Sequence, residues 1–473
     1  MPRTTSTASD WTTLGRDLLV SVRRTPRGRW AETLAEQLRE AVRSGALRAG
    51  VRLPSSRVLA HDLGLSRGVV VAVYEQLVAE AYLVSRHGSG TRVADLARTG
   101  APVAVSGPRP SPVHHNPGLP DTGLFPRAAW LRATRRALET ISDADLRYGH
   151  PQGFGPLREE LAAYLGRVRG LRASADDILI VNGFAQGFAL LARILPEFGV
   201  HAIAVEEPGS TGAREQLREW GVDTPPVSVD EQGLDVDELE RSGAAAVLVT
   251  PAHHYPTGVV LAPERRHALL EWVRAVPGRY VIEDDYDAEY RYDSDPVGSL
   301  QPFEPERVIT GSSISKTLAP GLRLGWLVLP PALTDSAVRR KAAFDLGTQV
   351  LSQAALADFL RSGGFDRHLR TSRARYRRQR AGLAQRLAAI APALPVSGLD
   401  AGLSLCLRVD VTDDQALADE LKAAGVNCEA LSYYQQRAHP QRGLVLDINA
   451  TDDRRLDLVL AAIDAQGPVT VGG

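Results

Sequence analysis

The chain has 473 residues, more than one ordinary domain holds, and the length predicts two or three domains that each bury their own core. Hydrophobic content of 44% and charged content of 23% are globular values, and a net charge of −1 excludes a molecule that binds polyanions over its whole surface. Cys406 and Cys428, the only cysteines, fit neither a metal spacing nor a disulfide framework, and no apolar run reaches membrane-span length, so a soluble protein of the reducing cytoplasm is expected.

The mean charge hides an asymmetry, because residues 1–98 carry about 15 arginines against about 9 acids. Nucleic acid is therefore expected at this end. Leu34, Leu38, Ala41 and Val42 recur at helical spacing, and Gly45 is placed to stop that helix. A second helix is predicted over 56–63, with Ser55 as cap and Gly64 as terminator. A third begins after Ser66 and turns Val69, Val73, Leu77 and Val78 inward, so that the Gly64-Leu65-Ser66 turn makes a helix-turn-helix with the third helix as reader. Tyr82-Leu83-Val84, the turn Gly88-Ser89-Gly90 and Thr91-Arg92-Val93 read as a two-stranded wing.

Three helices and a hairpin also make an ordinary packing module, and the polar residues decide between the readings. Arg52, Ser55, Ser56 and Arg57 fall at the start of the second helix, Ser66 and Arg67 at the start of the third, and Arg86, His87 and Gly88 at the wing tip. Helix N-termini and arginines hold phosphates, and residues that open a reading helix reach major-groove base edges. The stretch from about Glu32 to Val93 resembles the GntR-type winged helix-turn-helix in the words Leu53-Pro54-Ser55-Ser56-Arg57, Leu63-Gly64-Leu65-Ser66-Arg67, Tyr74-Glu75-Gln76-Leu77 and Gly88-Ser89-Gly90-Thr91. The resemblance implies a double-stranded DNA operator as partner. Gly68-Val69-Val70-Val71 departs from it where polar side chains are common, so direct base reading is expected to rest on Arg57 and Arg67.

Gly and Pro crowd residues 96–118 and leave no room for a helix or paired strand, which marks a linker. It separates a DNA-binding domain over 27–95 from a domain over 119–470, long enough for a major α/β part and a small C-terminal α+β subdomain from about 350.

In the large domain Ile178-Leu179-Ile180-Val181, Ala202-Ile203-Ala204-Val205, Ala246-Val247-Leu248-Val249, Tyr280-Val281-Ile282 and Val308-Ile309 are short, continuously apolar runs, as strands buried on both faces should be. Ligands of an open α/β sheet sit at the carboxyl ends of such strands. Asn182-Gly183-Phe184-Ala185-Gln186 ends one strand and opens a helix; the segment is equally an ordinary turn or a phosphate site made of backbone amides, with Ala185 and Gln186 as its candidates. His253 and His254 are adjacent, but neighbours along a strand face opposite ways, which argues against a metal; Tyr255 follows them. In Glu283-Asp284-Asp285-Tyr286-Asp287 the period of two puts Asp284 and Tyr286 on one face, as a carboxylate and a phenol for the nitrogen and oxygen of a pyridine ring.

Lys316 carries the chemistry. The chain has three lysines (Lys316, Lys341 and Lys422) among many arginines, and only an amine can form a Schiff base with an aldehyde. Ser312, Ser313 and Ser315 precede it and Arg323 follows, so hydroxyls and a guanidinium can converge on a phosphate near that amine. The cofactor that fits is pyridoxal phosphate.

From about Pro117 to the C-terminus the chain resembles fold type I aminotransferases, in Tyr148-Gly149-His150-Pro151-Gln152-Gly153, His253-His254-Tyr255-Pro256-Thr257-Gly258, the run from Glu283 to Tyr292 and the Ser315-Lys316 segment. A GntR reader followed by this module is the pattern of MocR-like transcriptional regulators. The resemblance implies a Schiff base at Lys316, Asp284 on the pyridine nitrogen, Tyr286 on the ring oxygen, Ser313 and Arg323 on the phosphate, and a head-to-tail homodimer. It also implies an aromatic residue stacked on the ring, where this chain has Ser210, so about 0.5–1.5 kcal/mol of stacking is expected to be absent. A substrate-carboxylate arginine is expected near the C-terminus, and Arg442, just before Leu444-Val445-Leu446-Asp447-Ile448-Asn449-Ala450, is its candidate. The expected function is a DNA-binding regulator that responds to pyridoxal phosphate or to an amino compound reacting with it. The alternatives are a working aminotransferase carrying a DNA module, and a DNA-binding module on a scaffold that takes no cofactor.

Overall fold

The computed structural model describes residues 29–86, 90–95, 117–292, 298–392, 394–397, 401–438 and 441–466. The expected positions His87 and Gly88, the side chain of Arg86 and most of the expected linker lie outside these residues. The chain divides into two compact units at Val113–His114.

The first unit consists of α1 (Trp30–Arg43), α2 (Ser56–Leu63), α3 (Arg67–Ala79), β1 (Leu83–Arg86) and β2 (Gly90–Val93). Local chemistry sets each boundary. Ser55 accepts from Val58 N at 3.3 Å and Gly64 ends α2 in the left-handed region at φ +68°, while Ser66 accepts from Val69 N at 3.4 Å to open α3. The inward face of α3 is Val70, Val73, Tyr74 and Leu77, one step round from the expected set, because spacings of three and four centre the buried stripe between the half-buried Val69 and Val78. Leu34, Leu38, Leu59 and Leu83 complete this core. The wing strands pair antiparallel, Leu83 opposite Val93, and Leu53 N donates to Thr91 O at 2.9 Å, which fastens the chain before α2 to the wing.

The second unit is built on an eight-stranded sheet of order β3-β10-β9-β8-β7-β4-β5-β6. Its strands are β3 (Ile178–Val181), β4 (Ile203–Glu207), β5 (Pro226–Asp230), β6 (Gly233–Leu234), β7 (Ala246–Val249), β8 (Tyr280–Asp284), β9 (Val308–Ser313) and β10 (Gly325–Val328). The helices before, among and after them are α4 (Arg127–Thr140), α5 (Gly155–Arg169), α6 (Phe184–Ile194), α7 (Thr211–Glu219), α8 (Val236–Ser242), α9 (Pro263–Ala275), α10 (Pro331–Asp345) and α11 (Val350–Arg361). Alternate residues serve opposite faces: Leu179 and Val181 pack with α6, α7 and α10, whereas Ile178 and Ile180 pack with α5 and α11. The expected apolar runs are all strands of this sheet.

Sequence reading does not anticipate β10. It returns antiparallel between β3 and β9, with Gly325 opposite both Val181 and Ser313. The segment that carries Lys316 is thus the excursion of a hairpin within a mostly parallel sheet.

The C-terminal part has α12 (Gly364–Ile390), an antiparallel sheet of order β11-β12-β14-β13, α13 (Asp414–Ala423) and α14 (Asp453–Ala465). Its strands are β11 (Val396–Ser397), β12 (Ser404–Arg408), β13 (Cys428–Ala430) and β14 (Gly443–Asp447). Cys406 and Cys428 are both buried free thiols of this sheet.

Candidate cofactor site and nucleic-acid interface

In the first unit, Arg57 and Arg67 stand exposed in the first turns of α2 and α3, beside the half-buried Ser56. The capping hydroxyls of Ser55 and Ser66 lie at the same two helix ends, where unpaired N–H groups attract anions. Arg52 passes over the base of the wing: a Cβ on Gly90 would stand 2.7 Å from Arg52 Nε, and Gly90 has φ +83°. The backbone angle favours glycine there, since side-chain-bearing residues rarely adopt it. A cleft of about 780 Å³ runs between the start of α2, the outward side of α3 and the wing, lined by Arg52, Ser55, Ser56, Val71, Glu75 and Thr91 among others.

In the second unit the ends of β3, β7, β8 and β9 meet at one edge of the sheet. Val249 pairs with Glu283 and Asp284 with Gly311, so the loops carrying His253, Asp284 and Lys316 are brought side by side by parallel register.

Lys316 is half-buried, and its Nζ donates to Gly118 O at 2.9 Å. Burial lowers its pKa, against the opposing carboxylates of Asp287, Asp447 and Asp284. The Asp284 carboxyl is held well above the usual range by burial and then by Asp285 and Asp287, with Lys316 acting against them. A carboxyl so placed takes up its charge when a protonated ring nitrogen is set before it.

Tyr286 and Asp287 share a partner. His253 Nδ1 lies 2.9 Å from Asp287 Oδ2 and 3.0 Å from the Tyr286 hydroxyl. With its proton on Nδ1 the imidazole donates to Asp287, and the phenol keeps its hydrogen for another acceptor. Burial, then Asp287, raises the Tyr286 pKa well above the ordinary value, so the phenol stays a donor. His254 turns the other way, its Nδ1 2.7 Å from Thr257 Oγ1 and its Nε2 3.6 Å from Glu206 Oε2. That approach joins two neutral groups, since burial pushes Glu206 up to about 8 and His254 down to about 3.

The residues expected at the phosphate form a cradle. Arg323, in the left-handed region at φ +52°, donates from Nη2 to Asn182 O at 3.0 Å. A Cβ on Gly183 would fall 2.7 Å from that nitrogen, and Gly183, at φ +74°, leaves the first N–H groups of α6 open at Phe184 and Ala185. Ser313 ends β9 on the same edge, and its Oγ accepts from Ser315 N at 3.4 Å. Amine, carboxyl, phenol and anion cradle lie on one sheet edge and fit a phosphorylated pyridine aldehyde.

Two expected positions take other places. Gln186 turns its amide away, accepting from Asn182 N at 2.9 Å and donating to Asp345 Oδ2 at 2.7 Å. Arg442 is exposed, donates to Val411 O at 2.6 Å, and precedes β14, whose far end is Asp447. Five strand residues at roughly 3.3 Å each set it well away from the end that faces Lys316, so it does not join this site. Ser210 caps α7, accepting from Ala213 N at 3.3 Å.

Sequence reading missed Asp287, His253 and Asp447 as neighbours of the lysine and phenol. It also missed a strap. Pro117 O, Gly118 O and Leu119 O accept from Tyr255 (3.4 Å), Lys316 (2.9 Å) and Asn449 (2.7 Å) respectively, and Tyr255 meets the Tyr434 hydroxyl at 2.9 Å.

Residues 30–93 match the model of bacterial regulatory proteins of the gntR family, and residues 118–461 that of aminotransferase class I and II. The chain is 34% identical over 448 residues to the probable rhizopine catabolism regulatory protein MocR of Rhizobium meliloti, covering 89% of this chain and 90% of that one. It is 33% identical over 436 residues to the pyridoxine biosynthesis transcriptional regulator PdxR of Corynebacterium glutamicum, covering 91% and 94%. Among solved structures, the kynurenine aminotransferase of Pyrococcus horikoshii aligns with a TM-score of 0.65 at 25% identity, covering 73% of this chain and 87% of that one. An archaeal alanine:glyoxylate aminotransferase aligns at 0.66 with 24% identity over 74% and 88%, a likeness of fold.

Proposed function

The chain belongs to the MocR-like regulators, in which a GntR-family reader precedes an aminotransferase class I and II domain, and we propose that in this member the state of Lys316 governs how the reader holds its operator. It is a DNA-binding transcriptional regulator whose large unit takes pyridoxal phosphate. That cofactor, when bound, supplies an aldehyde that captures amines and a ring that draws electrons from them. Lys316 would meet the aldehyde, Asp284 the ring nitrogen and Tyr286 the ring oxygen. Ser313, Arg323 and the N–H of Ala185 would hold the phosphate, Gln186 would support their turn, and Tyr255 would border the amine. In the reader, Arg52, Ser55, Ser56, Arg57, Ser66 and Arg67, with the wing residues Arg86, His87 and Gly88, would meet DNA.

The observation that carries the reading is the hydrogen bond from Lys316 Nζ to Gly118 O at 2.9 Å. Gly118 is the last residue of the predicted linker and lies in the second unit. An amine engaged by an aldehyde has fewer hydrogens to donate, so capture of Lys316, or its release by an incoming amino compound, changes how the strap is held. A ligand shifts the operator-binding state only by such a difference in binding energy between states. Titrating operator binding at fixed salt, first with pyridoxal phosphate and then with candidate amines, tests this: the affinity should move in at least one series, and a flat response in both sinks the reading.

We further infer a homodimer, arranged head-to-tail. Leu146, Tyr148 and Leu346 are 54%, 90% and 56% exposed and line one cavity of about 830 Å³, an apolar surface that a second copy would cover. Light scattering should give twice the chain mass. No described helix is long and apolar enough to cross a membrane; action in the cytoplasm is inferred from the DNA operator that a GntR-family reader would meet. Turnover as an aminotransferase gains nothing from the position of Arg442 or from Ser210, and sustained multiple turnover with an amino donor and a keto acceptor would restore that alternative.

A further inference from the structure

Lys341 is the second of the three lysines, and it is completely buried. An ammonium withdrawn from water is tolerated only where acceptors surround it. On α10 its Nζ lies 2.8 Å from Gln186 Oε1, 2.9 and 2.7 Å from the two Asp345 oxygens and 2.9 Å from Thr348 Oγ1. The compact tetrahedral head suits this cluster, and a larger, planar guanidinium does not.

The cluster leads to the phosphate cradle. Asp345 Oδ2 accepts from Gln186 Nε2 at 2.7 Å and from Asn182 Nδ2 at 3.0 Å, and Gly347 N donates to Oδ1 at 3.0 Å. Lys341 on the oxygen side and Asp345 on the nitrogen side leave the Gln186 amide one orientation. In that orientation Oε1 accepts from Asn182 N at 2.9 Å, and Asn182 O in turn accepts from Arg323 at 3.0 Å. A continuous path of hydrogen bonds therefore runs from a buried ammonium to the guanidinium expected at the phosphate. The turn it braces is Asn182–Gly183, whose glycine conformation opens the end of α6.

We propose that Lys341, acting through Asp345 and Gln186, is a positioning residue that fixes the Asn182–Gly183 turn and Arg323, and thereby sets the preference of this site for phosphorylated over unphosphorylated pyridoxal. The inference rests on the reading of the Lys316 edge as the pyridoxal phosphate site. Without the ammonium, the carboxylate of Asp345 loses its charged partner and Gln186 Oε1 keeps Asn182 N as its remaining donor of this cluster, so the cradle loosens while the amine and ring contacts stay as they are.

The experiment titrates the full-length apoprotein with pyridoxal phosphate and, separately, with pyridoxal, following the visible absorbance of the lysine adduct. In Lys341→Met, which keeps the stem and removes the charge, pyridoxal phosphate binding should weaken about tenfold or more, while pyridoxal binding stays within about twofold. Arg323→Ala is the positive control, and it should collapse the same ratio. Should Lys341→Met fail to fold, Asp345→Asn, which keeps the size, carries the same expectation. A variant that lowers the melting temperature but leaves the ratio of the two affinities unchanged assigns Lys341 a purely structural role and overturns the proposal. A wild-type chain that takes neither compound overturns the cofactor reading itself, and the proposal with it.

Discussion

In the first unit Arg57 and Arg67 stand exposed on the opening turns of two short helices, and the nearby serine hydroxyls close those helix ends at 3.3 and 3.4 Å. In the second unit Asp284, Tyr286 and Lys316 are withdrawn to a sheet edge, where burial is the first cause of every shift in their proton affinity. The contrast follows from what each unit has to meet. A polyanion is held by cations that stay solvated until it arrives, and their charge acts at a distance. Capture of an amine needs a lysine that gives up its proton near neutrality, which requires a site shielded from water. Substitutions in the reader should therefore subtract contacts, and substitutions in the large unit should change chemistry.

The sharpest break between the units is Lys316→Ala. It should remove the visible absorbance and every response of operator binding to pyridoxal phosphate, and, because it also removes the bond to Gly118 O, shift the ligand-free operator affinity toward that of the cofactor-loaded wild type; a residual cofactor response would show that the response arises elsewhere. Next in size is Asp284→Asn, which removes the carboxylate expected at the ring nitrogen. A charge-assisted hydrogen bond of about 1.5–3 kcal/mol corresponds to a loss of cofactor affinity of about 10- to 150-fold, read by absorbance titration. Arg67→Ala should cost about 1–3 kcal/mol of operator binding with the cofactor spectrum intact, and band-shift or anisotropy titrations at several salt concentrations give both numbers. Equal operator binding by wild type and variant at a stated salt concentration would remove Arg67 from the interface.

The smallest effect is one of pH. Burial raises the Glu206 carboxyl to about 8, above the roughly 4.3 of an unfolded glutamate, so the stability tied to its protonated form is full below about 4.3 and lost as pH rises through 8. Wild type should then lose a few degrees of melting temperature between about pH 6 and 9, and Glu206→Gln, which cannot ionise, should lose less. Parallel losses in the two proteins would assign the effect to other groups.

The reader was legible because its instructions are local. Ser55, Gly64 and Ser66 act on backbone groups within a few residues, and capping chemistry fixes those helix ends before any tertiary contact is known. The apolar runs of the large unit likewise announced strands. What stayed hidden is pairing across long separations. His253 meets Asp287 because β7 lies beside β8, and Asp447 approaches Lys316 from a separate sheet. Neither relation leaves a periodic trace in the chain. The reversal of β10 is a matter of tertiary packing for the same reason, and nearness in sequence to a motif does not place Arg442, because the far end of β14 turns to the site.

The hairpin of β9 and β10 has a consequence for descent. Ser313 and Gly325 are register partners, and Arg323 stands two residues before the latter, so the groups expected to grip the phosphate are set by the pairing of two strands. The segment between them, with Lys316 in it, is an excursion from that frame. Mutation can rework what surrounds the amine over many generations while the sheet goes on presenting the same grip. An ancestor that turned over substrates could in this way yield a lineage that only senses them, with no stage at which the cofactor had to be given up.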